Sequence, residues 1–286
     1  MGNDVFQSLW LGARLSMMER LSIESFLKAG AEYHLYSYDR IENVPRGAVV
    51  REAREILPAD EIFVYRHGFG KGSPACFSDM FRYKLLLEKG GWWVDTDVVC
   101  LRPFGFASDC VVGNHRVNDE ERVNGAVIRM PAGSPVARYC YEACCRVDRK
   151  RTRWGEIGPQ LLQQALQTLG MSDCILPTAV FYPIDYWRIE QFFENRELPA
   201  ESVAVHLWHA IWRSRGIDPD GWFPPECIYE QMRRRFITAY LPQYLTESQR
   251  RRVVARLARA NAQRTPSRLK RARRWLRSLM PFRRAA

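Results

Sequence analysis

Apolar and polar positions alternate along this chain in two rhythms. Residues 6–12, FQSLWLG, read as a first strand ending at Gly12. Residues 16–30, SMMERLSIESFLKAG, carry apolar side chains at helical spacing and stop on Gly30, which predicts a helix. AEYHLYSYD (31–39) alternates like a strand, and VVREAREIL (49–57) fits a helix. HGFGKGSPACF (67–77) is a glycine-rich loop, but it lacks the G-x-x-x-x-G-K-[ST] order that cradles nucleoside triphosphates. The clearest helix is SDMFRYKLLLEKGG (78–91), with Ser78 as its predicted N-cap, Asp79 near its positive end and Gly90 as its stop. WWVDTDVVCL (92–101) follows as a strand between glycine and Pro103. Beyond it, DCVVGNH and VNGAVIRM predict two strands, and SPVARYCYEACCRV and PQLLQQALQTLG predict two helices. AVHLWHAIWR (204–213) reads as a strand or loop rich in His and Trp. Strands alternating with helices predict an α/β fold with a mostly parallel central sheet. No internal repeat interrupts the pattern.

Composition narrows this picture. A chain of 286 residues with 47% hydrophobic and 12% aromatic content suits a packed enzyme and excludes a disordered chain. No apolar run approaches the roughly 20 residues that span a bilayer. The N-terminus has no basic segment followed by an apolar core, so no secretion signal is expected, and Phe6 breaks a myristoylation pattern. The eight cysteines form no C-x-x-C pair and are expected as free thiols of a cytoplasmic protein. A zinc site from Cys140, Cys144 and a histidine lacks the required spacing.

Charge is distributed unevenly. Of the net +11, fourteen Lys and Arg with no acidic residue lie between Ser248 and Ala286, which leaves −3 for residues 1–247. Residues 1–245 are therefore expected as a catalytic domain and 246–286 as a basic tail with its own partner. In the tail, arginines interleave with Trp275, Leu276, Leu279, Met280 and Phe282 around Pro266, which predicts basic amphipathic helices. Such helices lie on anionic lipid, so a peripheral place at the inner membrane face is favoured over nucleic-acid binding or a solubilising end.

The candidate chemistry centres on GGWWVDTDVV (90–99). Strand period two puts Asp95 and Asp97 on one face, together with Trp93. Two such carboxylates suit Mg²⁺ or Mn²⁺, and a metal beyond a strand's carboxyl end can hold a diphosphate. An isolated D-x-D is more often a surface pair with arginines; the preceding glycines, tryptophans and charged helix make a composite signal. DTDVV also fits the D-x-D-x-[TV] signature of haloacid-dehalogenase-type phosphatases. That signature opens its domain and needs a later Lys and acidic pair; here it lies 95 residues in with no G-D-x-x-x-D after it. A glycosidase needs its two acids on opposite sides of the sugar, which neighbours on one strand do not supply.

FSDMFRYKLLLEKGGWWVDTDVVCL (77–101) closely resembles the sugar-binding D-x-D region of glycosyltransferase family 32. Its relatives include yeast initiating mannosyltransferases, α-1,4-galactosyltransferases, bacterial capsule and lipopolysaccharide transferases and, distantly, clostridial glucosylating toxins. The shared pattern S-D-x-x-R-[YF], then G-G-x-[YW]-x-D-x-D, is complete here, with Trp93 where Tyr is common. The resemblance covers residues 6–215 and is strongest at 77–101. It implies a GT-A-type nucleotide-sugar-binding fold and a retaining, metal-dependent hexose transfer. The donor is a nucleotide sugar, UDP-linked by preference, and the acceptor a glycan or lipid-linked saccharide in surface polysaccharide synthesis. Asp97 matches the metal-coordinating aspartate. Asp95 matches the residue that contacts donor ribose or sugar and reaches the metal through water. Asp79 and Arg82 match a pair facing the donor sugar and phosphates; their i, i+3 spacing puts both on one helix face. The resemblance further assigns Trp10 to base stacking, Asn124 to the donor or acceptor, and Gly158, Pro159 and Gln160 to the acceptor side. His206 or His209 would complete the metal shell or contact the diphosphate. The full P-K-x-I-H-x-x-W lead-in to Trp10 is missing. The intact Asp79, Arg82, Asp95 and Asp97 count against an inactive sugar-binding module.

Overall fold

The computed structural model describes residues 5–240 and 246–262. Nine strands follow one another as β1 (Val5–Trp10), β2 (Glu32–Ser37), β3 (Val49–Glu52), β4 (Gly91–Val94), β5 (Val98–Cys100), β6 (Val111–Val117), β7 (Glu120–Met130), β8 (Ile175–Leu176) and β9 (Ala204–His206). Seven of them make one sheet in the order β3-β2-β1-β4-β7-β6-β8, while β5 and β9 pair apart from it. The first four run parallel; β7 is antiparallel to both β4 and β6, and β8 is again parallel to β6. The expected mostly parallel α/β sheet is thus present.

Helices cover both faces. They are α1 (Met17–Lys28), α2 (Ala75–Lys89), α3 (Pro135–Arg146), α4 (Leu161–Thr168), α5 (Thr178–Phe181), α6 (His209–Ser214), α7 (Ile228–Phe236) and α8 (Glu247–Ala262). Strand β4 feeds both layers because neighbouring side chains leave a strand in opposite directions. Trp92 stacks on Phe6 at 5.5 Å in the core shared with α1 and α7. Trp93 packs near Phe81 of α2 in the core shared with α3 and α4.

Local structure departs from the sequence pattern in three places, and a fourth segment keeps its two predicted strands as a hairpin. Residues 49–52 form β3 and only Ala53–Glu55 turn helically, because Val49 and Val50 find partners in His34 and Leu35 at the sheet edge. Helix α2 starts at Ala75 behind Pro74, not at Ser78, whose N–H already bonds the Pro74 carbonyl. Asp79 therefore sits in the second turn, away from the helix end. The D-T-D is not strand: β4 ends at Val94, and a turn closed by Val98 N–H on the Asp95 carbonyl (3.0 Å) carries both aspartates. DCVVGNH and VNGAVIRM belong to one hairpin, closed by Asn118 and Asp119 at φ 50° and 67°, the left-handed pair that a two-residue turn demands.

All eight cysteines are free, and the thiols of Cys140 and Cys144 face the carbonyls of Leu161 and Ile157. Among the described residues the one group able to hold a metal is Asp95, Asp97 and His206. The described part of the tail is α8, whose Arg256 donates to the Gly216 carbonyl at 3.1 Å. Pro266 and Trp275 to Phe282 lie outside the described residues. No described helix is long and apolar enough to cross a membrane.

Candidate functional site

Parallel β1 and β4 deliver Trp10 and the D-T-D turn to the same edge of the sheet, where open α/β sheets bind ligands. Helix α2 brings Asp79 and Arg82 there, one turn apart on one face. Arg82 Nη2 lies 3.1 Å from Asp79 Oδ1 and 3.2 Å from Asp95 Oδ1, so a single cation bridges two carboxylates. Its Nη1 donates to the Gly125 carbonyl at 2.5 Å, its Nε to the Ser78 carbonyl at 3.4 Å, and its guanidinium lies 5.0 Å from the centre of the Trp93 ring. The Trp93 indole N–H donates to Asp95 Oδ1 at 2.7 Å, and the Asp95 N–H bonds the Ala126 carbonyl.

Charge and burial oppose each other here. Burial pushes Asp79 up to about 6, against the pull of Arg82, and pushes Asp95 up as well. Burial also works against the Arg82 charge, but Asp95 and Asp79 outweigh it and raise its pKa. Two glycines make the arrangement possible. A Cβ on Gly158 would stand 2.5 Å from Asp79 Oδ2, and one on Gly125 would stand 2.7 Å from Arg82 Nη1. Tyr83 anchors the first of these through its hydroxyl on the Gly158 carbonyl (3.0 Å).

Asp97 is held by a different part of the chain. His206 Nε2 lies 3.1 Å from each of its carboxylate oxygens, and the His209 N–H donates to Oδ2 at 2.8 Å. The Asp97 carbonyl receives Leu207 N–H, and Val98 pairs with His206 across β5 and β9. Burial pushes the Asp97 carboxyl up, but His206 and these hydrogen bonds overcome it and bring it down to about 2. Trp208 adopts φ 63°, strained for a bulky residue, and that turn starts α6 so that His209 N–H meets Asp97. His209 Nδ1 in turn lies 3.2 Å from Glu19, a fully buried carboxylate whose other oxygen caps α1 through Ser16 N–H.

One oxygen or nitrogen each from Asp95, Asp97 and His206 falls within 4.8 Å of the others. His206 Nδ1 is buried without a hydrogen-bond partner, an expensive condition for a ring nitrogen. Carboxylate and imidazole donors suit Mn²⁺ or Mg²⁺. The residues present therefore fit the divalent cation that a D-x-D motif implies.

The remaining sequence candidates take more structural places. Trp93 is 1% exposed and meets the site only through its N–H and the face under Arg82. Asn124 gives its amide N–H to His115 Nδ1 of β6 (2.7 Å) and accepts the Ala126 N–H of its own strand (2.9 Å), so both of its ends are used within the β6–β7 hairpin. Trp10 is half-buried, with its indole nitrogen against Gly12. Of the acceptor-side trio, Gly158 touches Asp79, while Pro159 and Gln160 continue towards α4. Sequence reading missed Gly125, Glu19, Trp208 and His115. His115 packs edge-on to Trp208 at 5.8 Å, and burial pushes its pKa down to about 3. The G in VNGAVIRM, a residue that weakens strands, was the one available signal for Gly125.

Comparison with known proteins follows the same division. Residues 50–123 match the glycosyltransferase sugar-binding region containing the DXD motif, and residues 129–236 match the alpha 1,4-glycosyltransferase conserved region. Among solved structures, the PaToxG glycosyltransferase is 15% identical, with 58% of this chain and 69% of that chain covered and a TM-score of 0.44. A transferase mutant is 8% identical over 59% of this chain and 86% of that one, with a TM-score of 0.38. The D-x-D sugar-binding region and the alpha 1,4-glycosyltransferase region follow one another along the chain, and together they support a glycosyltransferase.

Proposed function

We propose that this protein is a retaining, divalent-metal-dependent hexosyltransferase. It takes a hexose from a nucleotide sugar, UDP-linked by preference, and passes it to a glycan or lipid-linked saccharide in surface polysaccharide synthesis. The observation that carries the reading is the convergence of Asp79, Arg82 and Asp95 with Asp97 and His206 at one sheet edge.

Asp97, His206 and Asp95 would hold Mn²⁺ or Mg²⁺, which neutralises charge on a departing diphosphate. Asp79 accepts hydrogen bonds from sugar hydroxyls. Arg82 has its donors committed inside the protein, so it acts by fixing Asp79 and Asp95 and by setting a positive field rather than by gripping phosphate. Trp10 offers a half-exposed ring at the end of β1 for the nucleotide base. No carboxylate of the site stands free as a nucleophile: Asp79 faces Arg82 and Gly158, Asp95 faces Arg82 and Trp93, and Asp97 faces His206 and His209. That supports attack by the acceptor on the leaving-group face, with the diphosphate taking the acceptor's proton. A trapped covalent glycosyl-enzyme would exclude this route.

Residues 246–286 extend the reading to a membrane-peripheral enzyme at the cytoplasmic face, and the exposed arginines of α8 support it. Co-sedimentation with anionic vesicles should fall when the chain is cut near residue 246, and equal sedimentation would refute docking. Transfer itself is tested by incubating the full chain with UDP- and GDP-sugars and Mn²⁺ and measuring nucleotide diphosphate release. Asp97→Ala should abolish release. Unchanged turnover in that variant, or binding of a nucleotide sugar without any turnover, would replace the transferase reading by a sugar-binding module.

A further inference from the structure

Two loops meet beside Asp79. Tyr65 to Ser73 form a small closed loop, tied by Tyr65 N–H on the Ser73 carbonyl (3.1 Å) and Gly72 N–H on the Tyr65 carbonyl (2.8 Å). Arg149 to Glu156 form the second. Trp154 locks the two together: its ring lies 5.1 Å from Tyr65 and 4.8 Å, edge to face, from Phe69. Gly70, at φ 76°, lies flat against the indole, where any Cβ would collide. Both loops lead directly to Asp79. The first runs into α2, and buried Tyr65 feels the Asp79 charge, which adds to the effect of burial in raising its phenol. The second reaches Gly158, which rests on the Asp79 carboxylate.

This rim carries a surplus of positive charge. Arg66, Lys71, Lys150 and Arg153 are exposed, and none of them makes an ion pair among the described residues. Of the neighbouring acids, Glu61 pairs with Arg149 and Asp148 with Arg151 at 3.7 Å, while Glu156 accepts the backbone N–H of Arg153 at 2.8 Å and offsets one of the cations. The surplus stands out on a body whose net charge over residues 1–247 is −3. Between the cations, Trp154 and Phe69 remain partly exposed. Aromatic faces suit the C–H faces of sugars, and arginines suit phosphate oxygens.

We propose that this lip is the acceptor subsite, built for a saccharide acceptor that carries phosphate. Trp154 supplies the platform for the sugar, and Arg66, Lys71 and Arg153 take the phosphate. The proposal rests on the transferase reading, because it needs a donor sugar held beside Asp79.

The experiment measures binding by calorimetry to the full chain saturated with UDP and Mn²⁺, so that the donor site is filled. The probes are glucose 1-phosphate, farnesyl diphosphate and neutral methyl glucoside. A phosphate-bearing probe should bind at least about tenfold more tightly than methyl glucoside, and the R66Q/K71Q/R153Q triple variant should lose about tenfold of that affinity with UDP binding unchanged. Binding of both phosphate probes assigns the lip to the phosphate itself; binding of farnesyl diphosphate alone assigns it to a lipid carrier. Equal binding of methyl glucoside, or unchanged probe affinity in the triple variant, overturns the proposal. Loss of UDP binding in that variant also overturns it, since the cations would then serve the donor. A wild-type chain that ignores UDP and Mn²⁺ but still binds phosphate probes through these residues would remove the transferase reading and leave the anion site standing.

Discussion

The two aspartates of D-T-D are one residue apart, yet different parts of the chain hold them. Asp95 is held by near neighbours in sequence, Trp93 and Arg82, in a closed arrangement where one cation balances two acids. Asp97 is held by His206 and His209, more than a hundred residues away, in an arrangement that leaves a ring nitrogen unsatisfied. Asp95 already has partners within the protein and also joins Asp97 and His206 in the group whose donors suit a divalent cation.

The sharpest way to break this contrast is Arg82→Met. It strands the buried Asp79 and the half-buried Asp95 and should cost about 3 kcal/mol in thermal or urea unfolding, with activity lost as well. A loss below about 1 kcal/mol would mean that the Asp95 half is not closed in this sense. Gly158→Ala comes next. Its Cβ displaces Asp79 and should lower kcat/KM by roughly 10²-fold while leaving Mn²⁺ affinity intact. A parallel loss of Mn²⁺ binding would show that the two halves are coupled. His206→Asn should do the reverse, weakening Mn²⁺ binding by roughly 10–100-fold in a titration without donor and leaving Asp79 in place.

The smallest effect is in pH dependence, and the two halves have opposite signs. Asp97 is lowered from 3.8 to about 2, so the stability it adds is fully present above pH 4 and lost as pH falls through about 2. Asp79 is raised from 3.8 to about 6, so the native state is penalised progressively as pH climbs from about 4 to about 6. Asp79→Asn should flatten the upper slope of a melting-temperature profile and Asp97→Asn the lower one. A profile unchanged by either variant would contradict the charge balance described here.

The same contrast explains what could be read from the sequence. The α2 face carrying Asp79 and Arg82, the strand before D-T-D and the mostly parallel sheet followed from local periodicity, since i, i+3 spacing and apolar runs are local properties. The D-T-D turn was misread as strand because VDTDVV alternates well; pairing partners, not alternation, ended β4 at Val94. Glu19 was hidden because a glutamate at N3 of a helix is fully explained by capping. His115 and Trp208 reach the site only through tertiary packing, and Trp208 acquires its role from a backbone angle that no periodicity announces. Alternation put Trp93 on one face with the two aspartates, but the core claimed its ring and left its N–H and the face under Arg82 to the site.

The separate pairing of β5 with β9 sets an order of events during synthesis. As the chain leaves the ribosome, every strand of the seven-stranded sheet has been made by Leu176. Asp79, Arg82 and Asp95 can already be in place then, but Asp97 has neither of its histidines. Thirty residues later β9 is translated, lies against β5 and delivers His206 to the waiting aspartate. A nascent chain can thus assemble the Asp79–Arg82–Asp95 cluster before Asp97 meets His206, and β9 completes the group of Asp95, Asp97 and His206.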